Sequence, residues 1–65
     1  MNTAHNTRAR LEIVLAIALK FPGDRANVLA KVTRYEIARP SHDSRTVERL
    51  EAMGESLRRL HEALV

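Results

Sequence analysis

The sequence has no cysteine, so no disulfide framework braces it. Three histidines without a thiol give no structural zinc pattern. Glycine and proline occur twice each, and the aromatic residues are Phe21 and Tyr35 alone, 3% of the chain. Few helix breakers leave room for long helices, and the apolar mass must come from Leu, Ala, Ile and Val. No apolar run approaches the ~20 residues that a membrane span needs. A glycine-rich phosphate loop, an HExxH zinc motif and a nucleophile elbow are all missing. No acid or nucleophile is spaced to work with His5, His42 or His61. No catalytic, metal-binding or cofactor-binding residue is assigned, and the chain reads as a non-enzyme that needs no cofactor.

What is present fits one small helical domain. At 65 residues, folding buries only about 60% of the unfolded surface. With no disulfide or metal, stability must come from helix packing, self-association or both. Hydrophobic residues make up 45% of the chain, enough for a core. Eleven basic residues against eight acidic ones give a net charge of +3. That mild excess permits an acidic partner without forming the dense basic patch of a dedicated nucleic-acid binder. The cysteine-free, charge-rich composition fits the reducing cytoplasm. Arg8 and Arg10 before the apolar run Ile13 to Leu19 loosely resemble a secretion signal. Glu12 at the edge of the run, Lys20 at its close and the following Phe21-Pro22-Gly23 argue against that reading.

Punctuation divides the chain into helices at about 7–20, 24–38 and 44–64. Met1 to Thr7 is a polar lead, with Asn6 or Thr7 as candidate caps. The first helix carries Leu11, Ile13, Val14, Leu15, Ile17 and Leu19 almost all round, which predicts burial on most sides. Pro22-Gly23 is a firm break, with Asp24 the expected N-cap of the second helix. That helix has a looser stripe of Val28, Leu29, Val32, Tyr35 and Ile37 and an outer face of Arg25, Lys31 and Arg34. Pro40 ends it, and Ser41 to Ser44 forms a polar turn. In the third helix Leu50, Met53, Leu57, Leu60 and Leu64 alternate spacings of three and four. They form one narrow seam for core packing or self-association. Gly54 lies beside that seam, where it either admits a neighbouring helix or is merely tolerated, and His61 flanks it. Glu48, Arg49, Glu51, Glu55, Arg58 and Glu62 are placed for pairing along the outer surface. A seam on one helix and an all-round apolar surface on another predict an all-α, three-helix domain in a packed or intertwined homodimer.

Two stretches bear on function. Thr33-Arg34-Tyr35-Glu36-Ile37-Ala38-Arg39 followed by Ser44-Arg45-Thr46-Val47-Glu48-Arg49-Leu50 resembles a bacterial helix-turn-helix. The resemblance implies a first helix starting at Thr33 and a recognition helix presenting Ser44, Arg45 and Arg49 to the major groove. It departs from that family at Asp43, where an apolar turn plug is usual, and at Pro40. The other stretch is the surface around Arg34, Tyr35 and Arg39, since Tyr and Arg are over-represented among interface hot spots. Tyr35 can also be read as a core-edge residue. The residues favour a small cytoplasmic regulator or adaptor that binds, and by binding can inhibit, a larger protein such as a transcription factor or enzyme. Its size and composition resemble accessory proteins of bacteria and their phages. A helix-turn-helix DNA binder is the first alternative and a structural oligomerisation domain the second. Mixed charge on the third helix speaks against a membrane surface.

Overall fold

The computed structural model describes residues 3–63, with side chains over 6–63. It has three helices, Thr3–Lys20 (α1), Asp24–Ile37 (α2) and Ser44–Ala63 (α3), and no strand among the described residues. α1 starts before the expected position because no Gly or Pro interrupts Thr3 to Thr7, so Asn6 and Thr7 lie inside the helix and are not its caps. The α1–α2 break falls at Pro22-Gly23 as read. The cap position, however, is Gly23 rather than Asp24. Its φ of 103° and ψ of 168° suit only glycine, and its carbonyl accepts from Asn27 N–H at 3.1 Å. Asp24 becomes the first helical residue, with its carboxylate at the positive end of α2. At the far end, Ala38 N–H donates to the Arg34 carbonyl at 3.2 Å, and Pro40 prevents continuation. The Asp43 carbonyl accepts from Val47 N–H at 3.1 Å to open α3.

α1 packs against both other helices, whereas α2 and α3 meet each other least. The core is Leu11, Val14 and Ala18 from α1, Ala26, Leu29 and Ala30 from α2, and Val47, Leu50 and Leu57 from α3. Each helix contributes three of these nine residues. α1 is not buried on most sides, because Ile13 and Leu19 both stand well exposed. Two partners are too few to surround an 18-residue helix.

The α3 stripe divides. Leu50 and Leu57 are buried, but Met53 is 49% and Leu60 43% exposed, and Leu64 lies outside the described residues. The inward line is Val47, Leu50, Gly54 and Leu57, rotated around the helix from the expected seam. Gly54 on this line lies against Val14 and Ile17 of α1. The rotation carries Met53 and Leu60 to the side away from α1.

α2 is rotated in the same sense. Its buried residues are Ala26, Leu29, Ala30, Thr33 and Glu36. Of the expected apolar stripe only Leu29 is buried, and Ile37 is partly so. Val28, Val32 and Tyr35 face outward. The small residues Ala26 and Ala30 take inward positions instead.

Candidate protein-docking groove

The two rotations converge on one surface feature. Where α2 and α3 splay apart, a groove of about 480 Å³ opens between them. Leu29 and Leu57, both buried, form its floor. Val28 and Val32, one helical turn apart, make the α2 wall, and Met53 and Ser56 the α3 wall. Val28 is 58% and Val32 46% exposed, so about half of each wall side chain is in water. Asp24 and Arg25 close the end formed by the start of α2. The lining is mostly aliphatic, and the groove holds no acid–base pair suited to catalysis.

Tyr35, 76% exposed, continues the Val28–Val32 line by one more turn. It is a surface residue and not a core-edge one. Arg34 beside it is exposed and has no ion-pair partner among the described residues. Arg39 differs: its Nη1 lies 4.0 Å from Glu36 Oε1. Glu36 is buried, and its other carboxylate oxygen lies 2.8 Å from Nδ1 of the half-buried His42. The contact of His42 with Glu36, the one acid that α2 turns inward, ties the α2–α3 turn to α2. The expected patch of Arg34, Tyr35 and Arg39 therefore divides into two free surface residues and one already occupied.

Ser44, Arg45 and Arg49 are exposed on the opening turns of α3, and neither arginine is ion-paired among the described residues. Arg49 does not pair with its neighbours Glu48 and Glu51, because Glu51 turns to α1. Thr33 does not begin a helix. It lies deep in α2, fully buried, with its Oγ1 lacking a hydrogen-bond partner. At the far end, Arg58 binds Glu55 at 2.5 Å and Glu62 at 2.9 Å, as the spacing predicted, and Arg59 lies 3.5 Å from Glu55. The Arg58 hydrogen bonds hold the Glu55 carboxyl below its usual range. Phe21 and His61 stack with centroids 4.5 Å apart, clasping the end of α1 to α3.

No protein family, curated protein or solved structure matches this chain.

Hydropathy alone groups Val28 and Val32 with Leu29, Tyr35 and Ile37 as the apolar stripe of α2. A competing signal was available. Ala26, Ala30, Thr33 and Ile37 trace a second line at spacings of four, three and four, made of smaller residues. Among the described residues, no group of acids and histidines is arranged to hold a metal ion, and no helix is long and apolar enough to cross a membrane.

Proposed function

We propose that the protein is a small adaptor or regulator that acts by docking another protein on its α2–α3 face. One observation carries this reading. α2 buries Thr33 and Glu36 while Val28 and Val32 face water, opposite an equally exposed Met53. Leaving such apolar surface hydrated forgoes about 25 cal/mol per Å². A contiguous apolar surface rimmed by polar groups is the usual mark of a recognition site. Tyr35 extends the surface with a residue type that anchors interfaces. A partner covered in this way loses access to the same surface of its own, which is how so small a chain inhibits a transcription factor or an enzyme in the cytoplasm.

The direct test is affinity capture from source cells on the immobilised wild-type chain and on Val32→Glu and Met53→Glu. Both positions are about half exposed, so both variants should melt like wild type. A protein held by the wild type and lost by both variants supports the reading. Capture that ignores the substitutions contradicts it.

A second reading rests on the exposed, unpaired Arg45 and Arg49 at the start of α3. If they contact DNA phosphates, filter binding should weaken steeply with salt. No binding at low salt removes that reading.

A further inference from the structure

We infer that the groove takes a single amphipathic helix whose apolar stripe is flanked by acidic residues, and that this guest completes a four-helix bundle. The inference rests on the docking reading above and adds the chemistry of the occupant.

Shape comes first. α1 packs on both other helices, and α2 and α3 part on the side away from it. Two roughly aligned helices separated by an apolar trough offer the surface that a fourth helix packs on. Val28, Val32 and Tyr35 fall at intervals of four and three, and Met53 and Leu60 stand two turns apart on the other helix. Those intervals suit anchors at i, i+3, i+4 and i+7 on a guest. From Arg25 to Tyr35 the α2 wall runs about 15 Å, which calls for a guest helix of roughly three turns.

Charge then selects the guest. Among the described residues, Arg25, Lys31, Arg34, Arg45 and Arg49 have no ion-pair partner, and all five lie on α2 or α3. On α1, Arg8 and Arg10 are paired, whereas Lys20 forms no ion pair among the described residues and lies 5.9 Å from the Phe21 ring centroid. The acids left unpaired on α2 and α3 are Asp24 and Glu48. Arg25 and Asp24 line the groove and offset each other, so the basic excess beside it comes from Arg49, which stands one turn before Met53. A second copy of the chain would carry the same basic excess, a net charge of +3, and like charges across an interface are unfavourable. DNA would meet the cations but has no apolar stripe to cover Val28, Val32 and Met53. An acidic amphipathic helix satisfies both features.

The test uses a displayed library of random peptides of about four helical turns, panned against the full chain and counter-panned against Val32→Glu. The expected outcome is enrichment of sequences with an apolar i, i+3, i+4, i+7 stripe and excess Asp and Glu. Synthetic versions should lose about tenfold or more in affinity against Arg25→Glu/Arg49→Glu, and less at high salt. Both arginines are exposed, and a melt of the double variant checks that it stays folded. Enriched peptides that have the stripe but no acidic excess overturn the charge inference while leaving the docking face intact. If nothing is enriched and sedimentation shows a dimer that Met53→Glu dissociates, a second copy fills the groove and the inference fails. If nothing is enriched and DNA is bound through Arg45 and Arg49, both the inference and the docking reading fail.

Discussion

Arg10 of α1 grips Glu51 of α3 with two parallel hydrogen bonds, Nε to Oε2 at 2.9 Å and Nη2 to Oε1 at 2.5 Å. The fork is the only ion pair between different helices among the described residues. It draws α3 toward α1 and so toward the side opposite the groove. The Arg10 hydrogen bonds hold the Glu51 carboxyl below its ordinary value of 4.5. On acidification the unfolded chain therefore takes up this proton before the folded chain does. The stability this pair contributes is complete above the ordinary carboxylate range and is lost as pH falls through it and below. Glu55, also depressed, acts in the same direction. Urea unfolding should show stability falling from about pH 6 to about pH 3, with a shallower fall in Glu51→Gln. An unchanged slope in that variant would mean that the fork is not held in solution.

The divided α3 stripe makes a comparative prediction. Leu57 is buried and Leu60 is 43% exposed. Leu57→Ala should cost about 2–5 kcal/mol, enough to unfold much of so small a domain. Leu60→Ala should cost roughly 1 kcal/mol or less by the transfer value of a half-exposed leucine. Equal losses in thermal or urea unfolding would restore a seam of Leu50, Met53, Leu57 and Leu60 buried together.

Gly54 separates close approach from tolerance. A Cβ built there meets Val14 Cγ1 at 3.6 Å and Ile17 Cδ1 at 3.9 Å, ordinary contact distances. Alanine therefore fits, and it restores helix propensity of up to about 1 kcal/mol. Gly54→Ala should raise the melting temperature or leave it unchanged, while Gly54→Leu overpacks the α1–α3 contact and lowers it. A clear loss with alanine would mean that the helices approach more closely than these distances.

Thr33 is fully buried with its hydroxyl unpartnered. Thr33→Val keeps the shape and removes the unsatisfied group, so stability should rise by about 1 kcal/mol. A loss would show that the hydroxyl finds a partner in solution.

These sites also mark how far the sequence could be read. Pro22-Gly23 and Pro40 placed the breaks between helices to within a residue because both act locally on the backbone. Which face of each helix turns inward was not local. The inward line of α2 runs through small and polar residues, Ala26, Ala30, Thr33 and Glu36, and hydropathy does not register such a line. Val28 and Val32 of the apolar stripe, and Met53 of the seam for core packing or self-association, stand at the surface of the single chain. Arg34 and Tyr35 were legible as exposed candidates from their type. The groove beside them was not, because it exists only between two helices whose relative rotation the sequence pattern left open.

The most direct test of the central claim is a methyl NMR titration of the chain with a peptide selected against it. The account predicts that resonances of Val28, Val32, Met53, Leu29 and Leu57 shift together. Those of Ile13 and Leu19, on the outer side of α1, should stay where they are. Shifts confined to α1, with the groove methyls unmoved, would contradict it.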